Sequence, residues 1–167
     1  MTAAATPMRT WQPLLIAAAV AIAMGILGAF ITDLGPWYYA LKKPDFQPPD
    51  WLFAPVWTTI FAMLAVSGAL AWKSAANAKA RAWVIGLYCL NLFLNALWSA
   101  LFFRAQRPDW ALLEVVFLWA SIAALIWSLL LRSRLASWLL APYLAWVTFA
   151  AILNMAVVQI NGPFGVR

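Results

Sequence analysis

At 167 residues the chain is one compact unit, and its 66% hydrophobic and 10% charged residues, with a mean hydropathy of +0.86, exclude a soluble domain, which averages roughly 45–50% apolar and 25% charged. The absence of His excludes His-based metal sites, His-ligated haem and His general bases, and a single cysteine, Cys89, excludes an intrachain disulfide framework and a CxxC redox pair. A net charge of +6, with the basic residues confined to short loops, reads as membrane topology and not as nucleic-acid binding. The composition therefore points to an all-α integral membrane protein.

Five stretches meet the requirement of about 20 mostly apolar residues for a spanning helix. The first runs from about Pro13 to Thr32 and carries no charge. Its apolar run exceeds the roughly 7–15 residues of a signal-peptide core, so it is expected to stay as a helix. Ala21, Gly25 and Ala29 make a small-residue stripe on it, suited either to close packing within the chain or to a dimer face.

Residues 33–50 form the one long connection. Pro36, Pro44, Pro48 and Pro49 stiffen it, and Trp37, Tyr38, Tyr39 and Phe46 load it with rings. Proline fixes φ and removes donors, so a non-helical segment is expected. Long loops often serve as lids. This one is either the lid of a cavity or an aromatic anchor in the headgroups.

The second span runs from Trp51 to Trp72, with Trp57 and Phe61 four apart on one face. The third, Ala82 to Phe103, holds Asn91, Asn95 and Trp98 on one face. An amide in hydrocarbon needs a partner, so this face should turn inward. Its amides either bond between helices or line a ligand pocket. Cys89 is expected as a small buried hydrophobe. The fourth span, Trp110 to Leu131, contains Glu114 one turn in, expected either to pair with Arg104 or Arg107 or to take part in proton coupling. The fifth, Leu135 to Ile160, carries Tyr143, Trp146, Ala150 and Asn154 at helical spacing. Three inward aromatic faces, two with amides, would suit a rigid planar hydrophobic ligand.

Five spans put the termini on opposite sides. Arg9, Lys73, Lys79, Arg81, Arg132 and Arg134 fall on one side, and Lys42, Lys43, Arg104, Arg107 and Arg167 on the other. The small excess tilts the first side toward the cytoplasm. No GxGxxG, P-loop or GxSxG motif is present, which argues against a nucleotide- or serine-based enzyme.

Four segments in order carry a family resemblance: WYYALKKPDFQPPDW (Trp37 to Trp51), PVWTTIF (Pro55 to Phe61), NLFLNALWSALFF (Asn91 to Phe103) and APYLAWVTFAAILN (Ala141 to Asn154). Together they resemble the tryptophan-rich sensory protein family, TspO/MBR. The resemblance implies a single five-helix membrane domain, usually a homodimer, whose first loop lids a pocket for porphyrin, haem and related hydrophobic ligands. It carries the pocket onto Tyr38, Trp57, Phe61, Asn95, Trp98, Trp146 and Ala150; Asn91 joins them from the helix-face argument. No catalytic or metal residue is implied, and the tetrapyrrole is a ligand and not a cofactor. Two departures stand out. Phe61 replaces a Tyr common in the family. Met155 stands where the animal sterol motif has Tyr, so cholesterol transport is not carried over and a bacterial cell membrane is favoured. The expected function is a tetrapyrrole receptor or sensor in the bilayer. The alternatives are light-dependent porphyrin breakdown, with Trp57 and Trp146 as redox partners, and a small-molecule transporter.

Overall fold

The computed structural model describes residues 11–165; Arg9 and Arg167, used above for orientation, lie outside them. Its elements are α1 (Gln12–Ile31), α2 (Pro36–Ala40), α3 (Asp50–Ser74), α4 (Ala78–Ser99), a wide turn (Ala100–Arg104), α5 (Pro108–Leu130), α6 (Arg134–Trp138) and α7 (Ala141–Asn161). Five helical stretches are long and apolar enough to cross a membrane: Gln12–Ile31, Asp50–Ser74, Ala78–Arg104, Pro108–Leu130 and Arg134–Asn161. All five expected spans are present.

Local chemistry sets the ends. The Asn77 side chain accepts from the Ala80 amide at 2.9 Å and starts α4 four residues before the expected Ala82. Pro108 sits in the first turn of α5, where its missing N–H costs nothing. Two expectations need correction. The first loop is not wholly non-helical, because Pro36 occupies the first turn of α2 and fixes its φ for a helical start. The fifth span is not one helix. It breaks at Leu139–Leu140 between α6 and α7, since Pro142 cannot donate and its ring would meet the carbonyl four residues back.

α5 is the hub, packed against α4, α6 and α7, while α1 packs on α3 and α4. The inward face of α5 carries Ala111, Val115, Leu118, Ile122, Leu125 and Leu129, all 3% exposed or less, at the spacing of one helical face. Most of the α1 surface points outward, with Ile22, Ile26 and Phe30 exposed, as a lipid-facing helix should be. Its Ala21 packs on the core, but a Cβ at Gly25 would meet nothing within 4 Å. The small-residue stripe is therefore not closed within the chain along its whole length.

Cys89 is exposed, contrary to expectation. The inward face of α4 is marked by buried Val84, Asn91 and Asn95. Cys89 is two residues from Asn91, about 200° round the helix, and faces out.

Candidate ligand-binding site

Two aromatic assemblies meet beneath the first loop. The first lies between α3 and α7. Trp57 lies against Phe61 (5.6 Å between ring centroids) and edge-on to Tyr143 (6.2 Å). One turn nearer the loop, Phe53 meets Trp146 at 5.7 Å, Trp146 meets Phe149 at 5.6 Å, and Phe46 of the loop closes on Phe149 at 6.4 Å. α3 and α7 are not among the closely packed helix pairs. Rings, and not backbone contact, fill the space between them.

The second assembly surrounds the wide turn. Ala105 donates to the Ala100 carbonyl at 2.9 Å, five residues back instead of four. Within this turn the adjacent rings of Phe102 and Phe103 meet at 4.8 Å. Trp98 stacks on Phe102 at 5.2 Å and meets Phe103 edge-on at 6.3 Å. From the loop, Trp37 reaches Phe102 and Tyr38 reaches Phe103.

A cavity of about 60 Å³ lies where loop and helices meet. Tyr38, Lys43 and Gln47 wall it from the loop, Phe53 from α3, Trp98 from α4, and Ala150 and Leu153 from α7. A drug-sized ligand needs roughly 300 Å³ or more. The loop as placed is shut, and a larger ligand requires it to lift.

The loop is held at two points. The Tyr38 phenol donates to Asp50 at 2.7 Å, and Gln47 bonds both Tyr38 (3.3 Å) and Asp50 (3.4 Å). Lys43 pairs with Asp50 at 3.5 Å and lies 4.1 Å over the Tyr38 ring. Burial, with the Asp50 carboxylate beside it, holds the Tyr38 phenol above its ordinary range, so it remains a donor. At the second point, Asn161 at the end of α7 accepts from the Lys42 amide (2.8 Å) and donates to the Lys42 carbonyl (2.9 Å).

Among the expected site residues, Tyr38, Trp98 and Ala150 line the cavity, while Trp57, Phe61 and Trp146 form the α3–α7 wall beside it. Asn95 is buried and donates to the Tyr143 hydroxyl at 3.3 Å. Asn91 is fully buried and donates to Ser121 on α5 at 2.8 Å, so its amide joins helices. The buried Trp146 indole N–H has no partner among the described residues. Sequence reasoning missed Phe53, though it precedes Trp57 and Phe61 at the same four-residue step. It also missed Lys43, Gln47, Phe102 and Phe103.

Glu114 does not pair with Arg104 or Arg107. Arg104 pairs with Asp33 at 3.7 Å and Arg107 with Asp109, which lies beside it at the helix start. Both Glu114 carboxyl oxygens are buried without a partner among the described residues.

A family model described as the TspO/MBR family matches residues 16–160. The chain is 41% identical to the tryptophan-rich protein TspO of Chlorobaculum tepidum, over 84% of this chain and 90% of that protein. It is 40% identical to the translocator protein of Sus scrofa, over 81% and 84%. It is 33% identical to protein CrtK of Rhodobacter capsulatus, over 82% and 85%.

Proposed function

This chain belongs to the TspO/MBR family, and from that premise we propose that it binds tetrapyrroles in the α3–α7 aromatic cleft and serves as a receptor or sensor for them. The carrying observation is the cleft itself. Two helices stand apart, rings from both walls fill the gap, and the buried indole N–H of Trp146 has no acceptor among the described residues. An unpaired buried donor costs about 1–3 kcal/mol, which a ligand acceptor would recover. Flat rings on both walls favour a flat guest, each stacked pair adding about 0.5–1.5 kcal/mol beyond area burial.

Binding begins with release of the two loop latches. The macrocycle then displaces the ring contacts across the cleft, Asn95 and Trp146 offer its polar edge hydrogen bonds, and Tyr38 and Phe46 close over it. Neither His nor the outward-facing Cys89 can hold a haem iron there. Affinity rests on burial and stacking. The homodimer and the bacterial cell membrane are part of the same proposal. The open stretch of α1 at Gly25 supports the dimer, and disulfide cross-linking of Gly25→Cys in a Cys89→Ser background tests it.

The test of binding is a titration of purified protein in detergent with protoporphyrin in the dark. Saturable binding is expected, weakened about tenfold or more by Trp146→Ala, which removes a ring and a donor, and less by Asn95→Ala. Binding equal to that of empty micelles, or unchanged by both variants, refutes the proposal.

A further inference from the structure

A second concavity lies between α1, α3 and α4, with a volume of about 400 Å³. Its walls are almost wholly apolar and include Ala17, Leu64, Gly68, Trp72, Val84 and Tyr88. Tyr88 presents its ring, because its hydroxyl is tied inward to Ser67 at 2.7 Å. The lining runs from Pro13 to Ala21, Leu64 to Trp72 and Val84 to Leu92. Each stretch is about 12 Å of helix, under half of a hydrocarbon core of roughly 30 Å. The groove is confined to one leaflet.

Its lining lies toward the end of the bundle where α3 passes to α4. Among the described residues that end carries Lys73, Lys79, Arg81, Arg132 and Arg134 and no acid. None of the five forms an ion pair among the described residues, whereas at the other end Lys43, Arg104 and Arg107 are matched by Asp50, Asp33 and Asp109. Arg81 lies 5.0 Å over the ring of Trp72, which walls the groove mouth. Lys79 and Arg132 border a neighbouring surface depression. Residues 1–10 contain no acid that would supply a counter-charge.

We infer that this groove seats an acyl chain of one anionic phospholipid, with the headgroup phosphate held by Arg81 and Lys73. An apolar slot one leaflet deep under unmatched cations fits a lipid of negative headgroup. A second copy seated in the groove itself would press the two sets of unmatched cations against each other; the dimer contact proposed at Gly25 lies beyond the α1 lining, which ends at Ala21. The site is separate from the aromatic cleft.

The test is native mass spectrometry of the full chain, released from neutral detergent, titrated with dioleoyl phosphatidylglycerol or dioleoyl phosphatidylcholine. One saturable lipid is expected, with the anionic phosphatidylglycerol preferred over the zwitterionic phosphatidylcholine about fivefold or more per engaged cation. Arg81→Gln with Lys73→Gln should abolish that preference. Gly68→Leu should reduce binding of both lipids about fivefold or more, because a Cβ there stands 3.7 Å from the Tyr88 ring and a longer side chain must enter the groove. Ala17→Leu fills the groove from α1 and serves if Gly68→Leu fails to fold. Equal binding of both lipids by wild type, a preference that survives the charge changes, or groove-filling variants that bind as wild type does would each overturn the inference. So would a groove-filling variant that converts a dimer to a monomer without changing lipid binding.

Discussion

Asn161→Ala should loosen the lid while leaving the bundle intact. The Asn161 amide grips the peptide of Lys42 twice, at 2.8 and 2.9 Å, joining positions 119 residues apart. A net hydrogen bond contributes about 0.5–1.5 kcal/mol, and both of these are exposed, so the low end applies and the pair contributes about 1–1.5 kcal/mol. At 1.4 kcal/mol per tenfold, the open fraction of the loop should rise roughly 5- to 12-fold. The latch of Tyr38, Gln47 and Lys43 on Asp50 stays in place, so the loop should not detach. Hydrogen exchange of the amides from Lys42 to Gln47 reads this directly, and exchange there should speed up by that factor with α3 and α5 unchanged. Asn161→Asp keeps an acceptor for the Lys42 amide but sets a carboxylate against the Lys42 carbonyl, so it should also open the loop. Exchange in the loop that matches wild type in both variants would refute the reasoning.

Ser67→Ala should destabilise the bundle by about 1–3 kcal/mol, since Ser67 meets both the Tyr88 hydroxyl and the Ala136 carbonyl inside it; thermal unfolding in detergent measures this. Glu114→Gln should be at least as heat-stable as wild type, because it breaks no ion pair and removes an ionisable group from a buried site. A lower unfolding temperature would mean that the carboxylate has a partner in the folded protein. Protoporphyrin with and without iron should bind with affinities within about threefold, as expected if stacking dominates; a marked requirement for iron in equilibrium titrations would contradict binding that rests on burial and stacking.

The spans were legible because long uncharged runs admit almost no other structure in a membrane, and every backbone group must bond within its own helix. The ends at Asn77 and Pro108 follow from capping chemistry that is also visible in the residues. α2 and the break after Trp138 were harder to see. Proline can open a helix as readily as end one, and only the surrounding packing decides which occurs. The α3 ring stripe of Phe53, Trp57 and Phe61 was fully encoded in its four-residue step, of which only the last two were recognised. Phe102 and Phe103 were not accessible in this way, because adjacent residues on a regular helix diverge by about 100° and helical spacing pairs residues three and four apart, not neighbours. Asn91 and Asn95 look alike in sequence, yet one bonds Ser121 and the other Tyr143. The partner lies on another helix, which helical spacing cannot name. The same holds for Glu114, whose nearest candidate cations in sequence are taken by Asp33 and Asp109.

The most direct test of the central claim is to locate a bound tetrapyrrole by photo-crosslinking, using a protoporphyrin that carries a diazirine and mapping the labelled peptides. The cleft predicts label on the segments around Phe53 to Phe61 and Tyr143 to Ala150, competed away by unmodified protoporphyrin and lost in Trp146→Ala. Label concentrated on α1 and the outer face of α4, or label that excess protoporphyrin does not displace, would contradict it.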